Sequence, residues 1–295
     1  MDNSTHKAGF INIIGKPNVG KSTLMNLLMG EKLSIITSKA QTTRHRIMGI
    51  INEPDYQIVF SDTPGMLKPK YELHKNMMSF VHMALEDADV ILFVTDLFET
   101  ADEIEDVLEK INQSGVPVLL VVNKIDLNKE NKLEEVTEYW TNRLKVETII
   151  PVSAIENFNT ERILQEILDR LPLHPPFYDK QELTDRPERF FASEIIREKV
   201  FLNYKKEIPY STEVAIEEFI EEKKIIRIRA LIYVERNSQK GIIIGDKGKA
   251  LKKVGTQARE EMEVFFGKKV FLETFVKVED DWRKNKKKLK RFGYD

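Results

Sequence analysis

The sequence predicts an α/β architecture: a doubly wound domain on a mostly parallel sheet, followed by a smaller α+β domain. Three observations carry that prediction. Up to about residue 171, short continuously apolar runs alternate with segments of helical period. A proline-rich break, Leu171-Pro-Leu-His-Pro-Pro-Phe-Tyr178, ends the alternation. Beyond it the order becomes helix, two strands of period-two character, a helix pair and a last strand. A length of 295 residues suits two ordinary domains. With 41% hydrophobic and 32% charged residues, the chain is neither collagen-like nor wholly disordered.

Taken in order, strands are expected at Phe10–Ile14, Gln57–Ser61, Asp89–Asp96, Val116–Asn123 and Thr148–Val152. Helices are expected at Lys21–Met29, Lys75–Asp87, Glu103–Gln113, Leu133–Leu144 and Glu161–Leu171. The unbroken Val-Leu-Leu-Val-Val of residues 118–122 reads as a parallel strand covered on both faces, because a half-exposed strand would alternate. Ligands of such sheets bind beyond the carboxyl ends of the strands, so the residues after each strand carry the interest. Three prolines within residues 172–176 cannot continue a helix and suit a stiff, extended connector. The domains are therefore set at 1–172 and 187–295, joined by a linker at 173–186. The second domain is expected to hold a helix over Pro187–Tyr204 and strands at Glu213–Glu221 and Lys224–Val234. A helix pair around Gly245, running to about Phe266, a strand at Lys269–Val278 and a basic final segment follow.

The sequence has no cysteine, which excludes disulfides, thiol nucleophiles and thiolate metal sites. Its five histidines (His6, His45, His74, His82 and His174) lack ligand-like spacing, which argues against structural zinc. The apolar runs Ala88–Val94 and Val116–Val122 are far shorter than the ~20 residues of a spanning helix. Met1–Lys7 is polar, without a secretory apolar stretch, so a cytoplasmic protein is expected; a monomer is expected as well. The net charge of −2 hides an asymmetry. Residues 1–175 carry 18 Lys and Arg against 26 Asp and Glu, and residues 176–295 carry 28 against 22. A basic second half points to a polyanionic partner.

Gly15, Lys16, Pro17, Asn18, Val19, Gly20, Lys21 and Ser22 fit G-x-x-x-x-G-K-[ST] between a strand and a helix. Glycines let the backbone wrap phosphate, and the exposed amides and helix N-terminus supply donors. Lys21 is placed to reach the outer phosphates and the Ser22 hydroxyl to ligate Mg²⁺. The base is read further on, by Asn123, Lys124 and Asp126. A carboxylate at Asp126 accepts from the ring N–H and exocyclic amine of guanine. Adenine would leave it poorly paired, at a cost of about 1–3 kcal/mol or more. Lys124 lays its stem along the base, and Ser153-Ala154 offers a backbone donor to the guanine oxygen. The expected ligands are thus GTP and GDP.

Asp62, Thr63, Pro64 and Gly65 follow the third strand. Asp62 suits a Mg²⁺-bound water and the Gly65 amide the γ-phosphate. Thr42 and Thr43 lie in the polar stretch Ser34–His45, before the second strand. One of them, with Thr43 preferred, ligates Mg²⁺ only when the γ-phosphate is present, which is the basis of a GTPase switch. Lys21, Thr43 and Gly65 are the residues expected to stabilise the transferring phosphate. Where Ras-like enzymes place a water-orienting glutamine stands Met66, so no catalytic base is assigned and slow intrinsic hydrolysis is expected. Asn18 either braces the loop or resembles the asparagine that binds K⁺ in cation-activated relatives.

In the basic half, Gly245-Asp246-Lys247-Gly248 forms a G-x-x-G turn beside Ile242–Ile244. Lys247, Lys249, Lys252 and Lys253 surround the path of a nucleic-acid backbone, and Ile242–Ile244 line a groove for bases. Asp246 puts a negative charge in that loop, pointing to solvent or reading a base amine. The α-β-β-α-α-β order resembles a type II KH domain. Together with the P-loop, Gln41-Thr-Thr-Arg-His-Arg-Ile47 and Asp62-Thr-Pro-Gly65, the chain resembles the Era family of translation-factor-class GTPases over nearly its whole length. That resemblance implies binding near the 3′ end of 16S ribosomal RNA and a role in maturing the small ribosomal subunit. Peripheral inner-membrane association is implied with it. The rival reading is a signalling GTPase whose basic half meets membrane or protein partners. The cation-rich stretch from Trp282 onward reads as a helix packed on the second core, with RNA or membrane contact open.

Overall fold

Residues 5–128 and 132–294 are described by a computed structural model, so Met1–Ser4 of the polar N-terminal segment lie outside it. Two units result: one formed up to Lys70 and by His74–Asp185, the other by Arg186 onward with Tyr71–Leu73.

The first unit runs β1 (Lys7–Ile14), α1 (Lys21–Met29), β2 (Ile47–Asn52), β3 (Tyr56–Asp62) and α2 (Glu72–Glu86). It continues with β4 (Val90–Asp96), α3 (Glu105–Ser114), β5 (Val118–Asn123), α4 (Lys132–Thr141), β6 (Thr148–Pro151) and α5 (Thr160–Arg170). The sheet order is β2-β3-β1-β4-β5-β6. All pairs are parallel except β2 with β3. Every residue of β4 and β5 is buried, as helices on both faces demand. Both switch-bearing segments hang from the β2–β3 hairpin at one edge. Arg46 fixes its start: the guanidinium donates to Ser61 Oγ at 2.6 Å, Asn12 Oδ1 at 3.2 Å and Asp87 Oδ2 at 2.6 Å.

The proline-rich segment, expected as a stiff, extended connector, is packed along the first unit. It docks on the first unit, with Ala8 N donating to Pro172 O at 3.1 Å and His174 N to His6 O at 3.0 Å. The docked stretch extends to Asp185, whose carboxylate accepts from Met48 N at 3.2 Å. Prolines explain the absence of helix here, but the absence of a helix left backbone groups that the edge of the sheet takes up.

The second unit contains α6 (Glu188–Asn203), α7 (Ile208–Ser211), β7 (Glu213–Glu221), β8 (Ile225–Val234), α8 (Asn237–Ile244), α9 (Lys249–Phe266), β9 (Lys269–Val278) and α10 (Lys286–Arg291). β7 pairs antiparallel with β8, and β8 parallel with β9. Even-numbered residues of β8, from Ile226 to Val234, join Ile196, Val200, Val254 and Met262 in the core. The final segment closes this unit. Trp282 and Leu289 are fully buried. Trp282 Nε1 donates to Ser211 O at 3.0 Å, and Tyr294 donates to Glu213 Oε2 at 2.7 Å. Glu213 lies near the fully buried Arg197, which pairs with Glu194. Among the described residues, no helix is long and apolar enough to cross a membrane.

Candidate functional site

At the carboxyl ends of β1, β3 and β5 the first unit holds a cavity of about 450 Å³. Its wall includes Pro17, Asn18, Gly20, Lys21, Ser22, Thr42, Thr43, Gly65, Asn123, Lys124, Asp126 and Ala154. The predicted loop is thus brought together with both switch segments and the base-reading residues. Gly15 and Val19 are buried behind the loop, and the Lys16 side chain turns away to Glu99 at 3.0 Å.

Lys21 is nearly inaccessible, its ammonium donating to Gly15 O at 3.0 Å and Lys16 O at 2.8 Å. Burial pulls its pKa down to about 8, although Asp62 and Glu99 oppose that shift. Asp62 is also buried, and burial pushes its carboxyl up against the pull of Lys21 and neighbouring hydroxyls. Ser22 Oγ donates to Asp62 Oδ2 at 2.6 Å and lies 2.9 Å from Thr43 Oγ1. Thr43 itself is 3.4 Å from the same carboxylate oxygen. The two threonines are thereby separated: Thr42 donates to Lys39 O at 2.6 Å and stands apart from this cluster. Thr63 donates to Ile13 O at 2.7 Å and, with buried Pro64, fixes the end of β3. Three hard oxygen donors converging beside a lysine fit a hydrated divalent cation, which would favour the ionised carboxylate.

At the far end, Asp126 Oδ1 accepts from Ser153 Oγ at 2.6 Å. Lys124 donates to Asn18 O and to Asp96 Oδ2, both at 2.7 Å. Asn123 is a brace: its Nδ2 donates to Val19 O at 2.9 Å, and its Oδ1 accepts from Lys124 N and Ala154 N at 2.8 and 3.0 Å. Of the Ser153-Ala154 pair expected to offer a backbone donor to guanine, the Ala154 amide donates to Asn123 in this structure. Met66 is buried in the core with Ile14 and Met78, so it fills the interior and does not cover the site. Sequence reasoning missed Asp96, the partner of Lys124, and the lining residues Ile35, Ile36 and Ile155. No spacing flags them, because their place is set by neighbouring loops.

In the second unit, Gly245–Gly248 joins the C-terminus of α8 to the N-terminus of α9. Lys247, Lys249, Lys252 and Lys253 are exposed. Asp246 pairs with Lys249 at 3.3 Å. Of the three isoleucines beside the turn, Ile243 belongs to the core, Ile244 is half-buried and Ile242 is exposed.

A glycine loop that feeds a helix from a parallel strand, with both switches gathered at its mouth, defines a P-loop GTPase domain, and the second unit has the strand and helix order of a KH domain. Comparison with known proteins agrees for each half. The family described as 50S ribosome-binding GTPase matches residues 10–124, and the KH domain family matches residues 207–283. GTPase Era of Geotalea daltonii is 46% identical over 298 residues and is aligned over 100% of both chains. A crystal structure of Aquifex aeolicus Era bound to GDP·AlF4⁻ matches with a TM-score of 0.92 at 40% identity, over 98% of this chain and 99% of that one. A crystal structure of Era in complex with MgGDPNP and nucleotides 1506–1542 of 16S ribosomal RNA matches at 0.93, with the same identity and coverage. The chain belongs to the Era family of GTPases.

Proposed function

We propose that this protein is a GTP-driven switch that binds 16S ribosomal RNA near its 3′ end through the KH unit and assists maturation of the small ribosomal subunit. The observation that carries the nucleotide half is the convergence of Lys21, Ser22, Thr43 and Asp62 at the N-terminus of α1, in a cavity that ends at Asp126. The RNA half is supported by the exposed lysines of the G-x-x-G turn and by full-length similarity to an Era crystallised with that RNA.

In this reading the loop amides and Lys21 hold the outer phosphates of GTP. Ser22, Thr43 and, through water, Asp62 would hold Mg²⁺, whose charge would stabilise negative charge on the phosphates. The Gly65 amide bonds the γ-phosphate, so Thr43 and Gly65 are both released when it leaves. Asp126 reads guanine, Lys124 supports the base and Asn123 with Ala154 braces the two loops. Hydrolysis to GDP and phosphate then rests on charge stabilisation without an assigned base and is slow. Asn18, exposed at the lip of the cavity, would hold K⁺ or brace the loop. Equal turnover in potassium and sodium would remove that ion from the account. The protein acts in the cytoplasm as a monomer, and its basic second half also suits peripheral association with the inner membrane.

Crosslinking of RNA to the protein in cells, followed by sequencing, tests the function. Reads concentrated at the 3′ end of 16S ribosomal RNA are expected. Their absence would leave a signalling GTPase as the better reading.

A further inference from the structure

The stretch from Pro172 to Asp185 covers the edge strand of the first unit. Ile50 N donates to Leu183 O at 2.8 Å, Thr184 Oγ1 to Met48 O at 2.6 Å, and Asn52 Nδ2 to Glu182 O at 2.8 Å. At its centre stands Gln57, a fully buried amide at the start of β3. Gln57 Oε1 accepts from Phe177 N at 2.7 Å and Tyr178 N at 3.0 Å, while Nε2 donates to Tyr178 O at 3.0 Å. One side chain thus satisfies three backbone groups of a segment that has no hydrogen-bond ladder of its own. The Phe177 ring lies 4.7 Å from Phe10 and stacks 4.1 Å from His174.

The two strands that hold this segment also hold the switches. β2 opens at Ile47, shortly after Thr43, and β3 runs from next to Gln57 to Asp62, about 17 Å along one strand. Among the described residues, the hairpin pairs with the rest of the sheet through β3 and β1, and its other side rests on the segment instead of another strand. Docking coexists here with Thr43 drawn to Ser22.

We propose that residues 173–185 are a releasable strap, caught by Gln57, that docks while Thr43 and Gly65 are held by a γ-phosphate and loosens when that phosphate is lost. The device rests on the GTP-switch reading above. Docked, the chain is fixed to within three residues of α6, which opens at Glu188. Released, residues 173–187 become a free tether with a reach of up to roughly 50 Å. Nucleotide state thereby sets the length of unbound chain that leads to the KH unit. By reciprocity, whatever the nucleotide does to the strap, the strap does to the nucleotide.

Amide hydrogen exchange on the full chain with Mg²⁺, comparing a non-hydrolysable GTP analogue with GDP, tests this. The Phe177 and Tyr178 amides should exchange about tenfold faster with GDP, within the usual span of allosteric coupling. Gln57→Ala should bring both states to the fast rate and shrink the preference for the GTP analogue over GDP by the same factor. If that variant does not fold, Thr184→Val should shift both readouts in the same direction. Equal exchange in the two states would overturn the strap. So would a variant with a lower melting temperature and an unchanged nucleotide preference, which marks a purely structural clip. Absence of any nucleotide binding by the native chain would overturn the underlying reading as well, so the two failures are distinguishable.

Discussion

Two glycine turns cap helices in this protein, one at the nucleotide cavity and one in the KH unit, and they are built in opposite ways. Gly20 caps α1 with φ 98°, and a Cβ there would lie 2.2 Å from Asn123 Nδ2. Gly248 caps α9 with φ 78°, and a Cβ there would meet nothing within 4 Å. The lysine after Gly20 is buried and pinned by two carbonyls, whereas the lysines around Gly248 stand in solvent. The first turn is a closed socket with one geometry for one ligand. The second is an open rail, suited in the proposed function to a polymer backbone. Damage to the socket should be nearly all-or-none, and damage to the rail should come in steps.

The comparison can be broken most sharply at the base-reading end of the socket. Asp126→Asn should weaken GTP by on the order of 10³-fold and favour xanthosine triphosphate, because a carboxylate set to accept from two guanine donors rejects a partner that cannot match it. Calorimetric titration with both nucleotides reads this, and unchanged GTP affinity would remove Asp126 from the site. Next comes the rail. Lys247→Asp combined with Gly248→Asp should cost about 100-fold or more in RNA affinity while GTP binding stays within twofold, since added charges repel the backbone.

A smaller effect distinguishes the buried lysine. Lys21 is held near pH 8 by burial, and bound phosphate restores its proton. Nucleotide binding above pH 8 therefore takes up a proton, and affinity should fall by up to about tenfold per pH unit. For the nucleotide-free protein the sign reverses. The unfolded chain keeps the ordinary lysine value of 10.5, so the cost of burying the charge is full below pH 8 and lessens from about 8 to 10.5. An affinity that is flat from pH 7 to 9.5 would show that the ammonium does not meet the phosphates. The smallest effects belong to single Lys249→Ala, Lys252→Ala or Lys253→Ala changes. Each should weaken RNA a few-fold and lower the salt slope by about 1, with little change in sequence preference. A sharp change in sequence preference would mean that these lysines read bases.

Both turns were legible in the sequence because their chemistry is local: glycine spacing, an adjacent lysine and a flanking helix. The strands β4 and β5 were legible for a related reason, since burial on both faces leaves an unbroken apolar run. β2 was only implied. Its Ile-Met-Gly-Ile-Ile-Asn is short, and its pairing depends on Arg46 reaching Ser61, Asn12 and Asp87, contacts that no local pattern encodes. The docked strap was hidden likewise, since Gln57 lies 120 residues from Phe177 in sequence and carries no motif. The cradle's residue types were readable, whereas which amide faces the base was not. Asn123 competes for the Ala154 N–H, and only three-dimensional proximity reveals it.

The closure of the second unit by Trp282 and Tyr294 has a consequence during synthesis. The first unit has all its strands, and its strap, once Asp185 has left the ribosome. The second unit carries a buried arginine whose surroundings are completed only when Tyr294 reaches Glu213. At ordinary elongation rates the interval between Asp185 and Tyr294 is roughly 5–20 s. Throughout that interval the nascent chain presents a finished nucleotide pocket beside an unfinished KH unit. A newly made molecule therefore meets nucleotide before it is competent to hold RNA.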